Sequence, residues 1–459
     1  MMSDIYQNAA INVSADSGID SRAGCFVTRD QVDIIPLGIH CPQLSQSWQM
    51  LPVAQNFFEW MAGTSSFSRA WIHRERQLAR RVLHFTDKEM IWECCGIEGR
   101  SFASEMLPGG APFTHGLFNL DHKYQIGRLQ QGLIEESEEA YATWNDVCEN
   151  LSEKNLTKAS DMPVVLSGLA KDFSRMLSAD KYISGLWETT LPQSLLWHTM
   201  EFKRRDLEYI APSWTWLSTG SAVKLANRQG IEDKIPVAIM LSISTKLMYE
   251  DPYGPVEKGG RLDLEGFLRR IRISFTSDLF NISVYDHEDK SEEMRTLGPS
   301  WEPYLGDFCQ LNLDSKIEKR DLDCFCLFIT VNQYNGMQGS SRDVACLLLK
   351  RIDEDSNQFT RIGTLLLKDL YALKMRYKPI LDVKEDAWKS FQKEIKDHQD
   401  NATKAQEKRT NKRVEGTTHT ASATAHNRPQ GADALYHFDD INTQREGFER
   451  LTPQVLTIF

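Results

Sequence analysis

Apolar positions along this chain change period three times, from helical to alternating to helical and back. From Ser68 to Arg81, Trp71, Glu75 and Leu78 recur at i, i+4 and i+7, which predicts a helix with Ser68 as its N-cap. Val82–Phe85 and Met90–Cys94 alternate instead, and the turn residues 86–89 between them predict a hairpin. With Phe85 opposite Met90, the residues Leu83, Phe85, Met90, Trp92 and Cys94 line one apolar face. His84 and Glu93 then fall on the other face as diagonal neighbours.

Ahead of this unit, 2–8 has helical character and 10–15 alternates Ile11 and Val13 with Asn12 and Ser14, a short half-buried strand. A strand placed so early leaves an edge unpaired, and the expectation is that earlier strands of the domain are missing. Residues 96–128 are rich in Gly and Pro and read as irregular. Glu135–Leu151 is helical, with Tyr141, Trp144 and Val147 or Cys148 on one face. Pro163 opens a second helix, whose stripe is Leu166, Leu169, Ala170, Phe173 and Leu177. Residues 182–198 add Leu186, Trp187, Leu195 and Trp197 to the core.

From 211 the period is two. Trp214 and Trp216 share a face of an extended segment, and 237–244, 267–275, 282–285, 323–331, 344–350 and 362–367 read as strands of an antiparallel sandwich or barrel-like unit. Beyond about 395 apolar residues nearly vanish: 396–434 holds only Ala and one Val. The expectation there is a polar, largely disordered tail. The chain therefore divides into 1–95, a mainly helical 96–210, a β-rich 211–370 and a tail over 371–459, an α+β protein overall.

Composition narrows the function more than the fold. The 459 residues carry 53 Lys plus Arg against 64 Asp plus Glu, a net charge of −11, so nucleic acid is not an expected partner. Nine cysteines without a C-x-x-C pair read as reduced thiols of an intracellular protein. No apolar run reaches the ~20 residues of a membrane helix, and the first residues lack a signal peptide pattern. A cytoplasmic protein is expected.

Several segments, in order, resemble the fungal heterokaryon incompatibility (HET domain) proteins. Residues 2–9, with Tyr6 and Asn8, and then Gly24, resemble the family's M-s-x-I-Y-x-N-A … G-l-f segment. Arg69, Trp71, Glu75 and Arg76, followed by Leu83, His84 and Phe85, resemble its R-x-W-t-x-Q-E-R … L-H-F signature, and Trp92, Glu93 and Cys94 match its W-E-C. Pro212, Trp214 and Trp216 resemble a segment that follows the domain. Arg74 and Ile72 depart from the family's Gln and Thr, and its opening L-S-Y-x-W-G and W-I-D-x-x-C-I-x-Q stretches have no counterpart. The resemblance implies a partial α/β, TIR-like HET remnant over 1–95. It also implies self/non-self recognition leading to programmed cell death.

That family background raises an enzyme reading, because some TIR proteins cleave NAD with a glutamate. The polar candidates are Glu75, His84 and Glu93, a carboxylate–imidazole set able to do acid/base chemistry if burial moves a pKa toward neutrality. The simpler reading is structural: Glu75 pairs with a nearby Arg, His84 bonds Glu93, and Trp71 with Glu75 holds the helix to the hairpin. Cys324 and Cys326 share a strand face but lack further ligands at zinc spacing, and His115 and His122 form no metal motif. No phosphate loop, nucleophile elbow or dinucleotide fingerprint occurs. No cofactor and no metal are expected. Three functions remain: a signalling protein with protein partners, among them other HET-type proteins or a second copy; a truncated non-catalytic regulator or remnant that binds intact relatives; and a TIR-like NAD-cleaving enzyme if an N-terminal half exists.

Overall fold

The computed structural model describes residues 2–18, 20, 22–28, 37–41, 46–50, 64, 66–87, 90–95, 102–104, 122–131, 137–177, 180–200, 208–225, 233–275, 280–285, 294–297, 309–315, 321–336, 339–354, 356–367 and 453–459. The chain begins α1 Met2–Asn8, β1 Asn12–Ala15, β2 Leu37–Cys41, β3 Gln46–Met50, α2 Ala70–Leu78, β4 Arg81–Phe85, β5 Met90–Cys94 and β6 Phe102–Ser104. It continues through α3 His122–Gln130, α4 Ser137–Ser152 and α5 Met162–Met176. Two ribbons follow, β7 Tyr182–Ile183 with β8 Leu186–Trp187, and β9 His198–Thr199 with β10 Val223–Lys224. The strands β11 Asp233–Pro236, β12 Ala238–Ser244, β13 Arg261–Gly266, β14 Leu268–Phe275, β15 Phe280–Tyr285 and β16 Met294–Leu297 come next. The last are β17 Cys309–Leu313, β18 Asp321–Gly336, β19 Gly339–Arg351, β20 Gln358–Leu367 and β21 Gln454–Ile458. The protein is mixed α+β, with most of its strands antiparallel. No helix among the described residues is long and apolar enough to cross a membrane.

The small sheet runs β1-β4-β5-β6. Its hairpin has the expected register, Phe85 opposite Met90 and Leu83 opposite Trp92. β1 joins it in parallel, Ser14 beside His84, so the early strand does find a partner on one side. What differs is the direction of burial. Val82, His84, Ile91 and Glu93 point inward, while Leu83, Phe85, Met90, Trp92 and Cys94 are only half-buried. β1 is turned the same way: Ile11 and Val13 are exposed, Asn12 and Ser14 half-buried. Charged partners on the inner side, described below, make that inversion possible.

The two long helices form as their stripes predict. Pro163 sits in the first turn of α5, where its missing N–H has no helical acceptor to lose, and Val165, Leu166, Leu169, Ala170 and Phe173 are buried. Trp144 of α4 meets Phe173 edge-on at 5.1 Å and Trp187 at 5.4 Å, favourable offsets for aromatic quadrupoles.

Strands β11–β21 build one large sheet of 11 strands. The strands expected at 237–244, 267–275, 282–285, 323–331, 344–350 and 362–367 are all present, several of them longer. The ladder turns back on itself. β18 bonds to β19, β19 to β20, β20 to β21, β21 to β13 and β13 to β12. β11, separated from β12 only by Val237, then returns to β18. One side of this sheet, with Leu264, Leu327, Leu347 and Leu456, shares a core with α4 and α5; Ile271, Ile273, Cys326 and Leu348 fill a second core.

Three expectations need correction. The 96–128 stretch is not wholly irregular, because β6 and most of α3 fall in it. The tail expected over 371–459 closes on an ordered strand: β21 buries Leu456 and Ile458 completely between two other strands. Most of the remainder of that tail lies outside the described residues. Finally, 211–218 is not extended. Thr215 accepts a bond from the Leu217 N–H and caps a 3-10 turn at Trp216–Ser218, so Trp214 and Trp216 are buried on a turn, not along a strand.

Candidate functional site

The inner face of the small sheet carries a network of buried charges. α2 presents Arg76, whose guanidinium grips Glu93 of β5 in a fork, Nε to Oε2 at 2.9 Å and Nη2 to Oε1 at 2.6 Å. His84 of β4 lies diagonally across the hairpin, Nε2 to Glu93 Oε2 at 3.2 Å. The parallel register of β1 carries the chain two residues past Ser14 to Asp16, which therefore points to the same side as His84. Its Oδ2 is 2.7 Å from His84 Nδ1. Ser14 donates to Asp16 Oδ1 at 2.8 Å, and Ser66 donates to the same oxygen. From α3, Lys123 donates to the Arg76 carbonyl at 2.7 Å and lies 3.5 Å from Glu93 Oε2. Relative exposure is 3% at Asp16, 7% at Arg76, 1% at His84, 0% at Glu93 and 1% at Lys123.

Geometry and charge together favour the imidazolium at His84. Each ring nitrogen faces a carboxylate, and a neutral imidazole has only one N–H to give, so with both carboxyls ionised the two contacts are met by the imidazolium. Burial opposes that charge, but the bonds to Asp16 and Glu93 outweigh it and hold the His84 pKa above the usual range. Burial also raises Glu93, yet the charges of Arg76 and Lys123 overcome it and keep the carboxyl well below its ordinary value. Asp16 is likewise lowered, burial being outweighed by His84 and the two serines. Lys123 goes the other way, because burial lowers its pKa despite Glu93.

Such a network joins β1, α2, the hairpin and α3, and its chemistry is that of a lock. A carboxylate kept ionised by a bidentate arginine has no proton to give, and the burial of every member denies a substrate contact with it. Asp16 and Glu93 sit on opposite nitrogens of His84, so the three do not converge on a point where a metal would bind. Among the described residues no group of three His, Cys, Asp or Glu side chains could hold a metal ion. Cys324 and Cys326 are buried free thiols whose pKa values burial pushes up, in Cys326 after its bond to Cys346.

The three polar candidates therefore separate. His84 and Glu93 meet, as their diagonal placement predicts. Glu75 lies elsewhere: it is half-buried and close to the Tyr6 hydroxyl of α1 and to the Arg74 charge. Arg76, rather than Trp71 with Glu75, ties α2 to the hairpin. The helix stops at Leu78, and its N-cap position falls on Arg69, whose side chain makes no capping bond, one residue later than the expected Ser68. Trp71 is half-buried, with the Arg74 guanidinium 5.6 Å above its ring. Arg69 and Asn8 are exposed, Asn8 donating to the Asp4 carbonyl at 2.7 Å. Gly24 takes a positive φ of 72°, open to glycine at no cost. His122 begins α3, and His115 lies outside the described residues.

Pro212, Trp214 and Trp216 belong to a second knot, built on Gly185. The Gly185 carbonyl accepts from the indoles of Trp144 and Trp216, both at 3.2 Å, and Trp197 donates to the Trp214 carbonyl at 3.0 Å. A Cβ on Gly185 would come within 2.9 Å of the Trp216 nitrogen at a φ of 93°, so only glycine fits. Pro212 packs against Gly260, where an added Cβ would come within 2.3 Å of its ring. Beside this knot Arg361, fully buried, forks onto Asp314 at 3.0 and 3.2 Å. It also donates to the carbonyls of Leu195 and Trp197 and lies over the Trp197 ring. Sequence reasoning missed Asp16, Ser66, Lys123, Asp314 and the role of Arg361. No family model, curated protein or solved structure matches the chain.

Proposed function

We propose that this chain is a heterokaryon incompatibility-type signalling protein, cytoplasmic and fungal, which takes part in self/non-self recognition and triggers cell death through protein contacts. One observation carries the reading: the motif residues behind the resemblance, Arg76, His84 and Glu93 on one side and Pro212, Trp214 and Trp216 on the other, sit in two buried knots that hold the fold. A chain whose motif residues serve its scaffold acts through the surfaces that scaffold presents. A parallel β1–β4 pair, whose connection holds α2 after the strands β2 and β3, is in keeping with a TIR-like remnant, a fold-level analogy only. Its partners are other HET-type proteins or a second copy.

The test is induced expression in a filamentous fungus, with viability and cellular NAD followed together. Cell death at constant NAD is the expected result. Unchanged viability overturns the proposal, and death accompanied by NAD loss replaces it with the NAD-cleaving reading.

A further inference from the structure

β21 occupies a slot that the rest of the large sheet leaves open. On one side it pairs antiparallel with β13, Leu264 opposite Leu456 and Leu262 opposite Ile458. On the other it runs parallel to β20, Phe359 beside Ile458. Without β21, β13 and β20 each lose a bonded neighbour, and the ladder from β18 round to β12 is interrupted. The strand is held as a docked peptide is held. Main-chain bonds run from Thr457 N–H to the Asn357 carbonyl at 2.9 Å and from Phe459 N–H to the Phe359 carbonyl at 3.0 Å. Ser213 donates to the Phe459 carbonyl, and Thr457 donates to Asp263 at 2.6 Å. Alternate side chains give the selectivity: Leu456 and Ile458 are buried at 1% and 0%, while Val455 ahead of them is 53% exposed and Thr457 between them is half-buried. Backbone bonds supplying affinity and alternate pockets supplying specificity is the logic of strand addition.

The connection to this strand is unusually long for neighbours in a sheet. Residues 368–453 separate the end of β20 from the start of β21, a contour of roughly 280 Å if extended. A short hairpin would force each chain to use its own strand. The advantage of the chain's own strand over an identical strand from elsewhere falls as the tether lengthens. A second copy offers the same Leu456 and Ile458 on the same backbone, so it satisfies every contact of the slot.

We propose that the slot between β13 and β20 is a strand-exchange site, in which residues 454–459 of one copy dock into the large sheet of another. Self-association of this chain then comes from swapping a strand and creates no new surface. The inference does not depend on the signalling reading.

Glu265 and Val455 face each other across the slot and suit a disulfide trap. One chain carrying Glu265→Cys and another carrying Val455→Cys are co-expressed with different tags, so that strands are chosen during folding, and then oxidised. The expected result is a covalent band bearing both tags. It is lost when the Val455→Cys chain also carries Leu456→Asp and Ile458→Asp, and it is absent when Glu265 is left unchanged, which excludes the natural cysteines. The double variant on one chain, closing its own disulfide, verifies the register. Monomers alone in the mixture, with that internal disulfide formed, overturn the proposal.

Discussion

The small sheet packs His84 and Glu93 inward against α2 and α3 and leaves Leu83, Phe85, Met90 and Trp92 half-covered, whereas the large sheet points Ile271, Ile273, Cys326 and Leu348 into an apolar interior. Each region nevertheless depends on a buried arginine. Arg76 belongs to a crowd in which two carboxylates face three cations, with a titratable imidazole at the centre. Arg361 instead forks onto Asp314 and also donates to main-chain carbonyls. The contrast teaches that a buried charge can serve two designs. In one, charges balance each other and decide which side of a sheet faces in. In the other, a guanidinium acts as a many-headed donor that pins the Trp197 segment to the sheet.

The largest effect tests the first design. Glu93→Gln removes the carboxylate shared by Arg76, His84 and Lys123, leaving those cations facing Asp16 alone. The expected loss is about 3–5 kcal/mol, read as a shift of the urea midpoint. A variant that unfolds like the parent would mean that the network contributes nothing to holding α2 and α3. Arg361→Ala should cost less, about 3 kcal/mol, because it strands one carboxylate and two carbonyls. Arg361→Lys should recover little of that, since an ammonium cannot span Asp314 and both carbonyls at once. Full rescue by lysine would reduce Arg361 to a point charge and erase the contrast between the two knots.

The hairpin shows how far the alternation of residues reaches, and where it stops. A four-residue turn between two five-residue strands set the register, and the register placed His84 diagonal to Glu93. Alternation could not say which face was buried, because Val82 and Ile91 share the inner face with the charges while the outer face is wholly apolar. Choosing the inner face needed Asp16 and Lys123. Those arrive from a loop beyond β1 and from a segment whose Gly and Pro content suggested no helix. The Trp214/Trp216 spacing misled for a local reason: Thr215 caps a turn that places both indoles inside, and a period of two is not unique to strands. β21 was hidden by its neighbours, since five strand residues carry little weight beside a long polar stretch. The stripes of α4 and α5 were legible because burial there depends on apolar area alone.

The smallest effect separates the two knots by pH. The His84 pKa is raised on folding, so its contribution is complete below the unfolded value near 6.5 and is lost as pH climbs through the folded value. Asp16 and Glu93 are lowered, so their contributions hold above about pH 4 and fade as pH drops through the folded values. Two lysines, one half-buried and one buried, oppose the alkaline loss. Burial brings Lys154 down to about 8 and lowers Lys123 as well, so the folded state regains stability as these shed protons. The parent profile therefore mixes two slopes of opposite sign above neutrality, and only a difference isolates the imidazole. His84→Gln keeps a donor toward one carboxylate but has no proton to lose. The melting temperature of the parent minus that of His84→Gln should be flat near pH 6 and decline steadily on the alkaline side. The same subtraction for Arg361→Lys should show no such decline, because the imidazole that feels Arg361 and Asp314, His198, has its pKa lowered by burial and by Arg361 and stays neutral across the alkaline range. A His84→Gln difference that stays level to pH 10 would mean that the ring is neutral in the folded protein, and one of its two carboxylate contacts would then have to carry the proton instead.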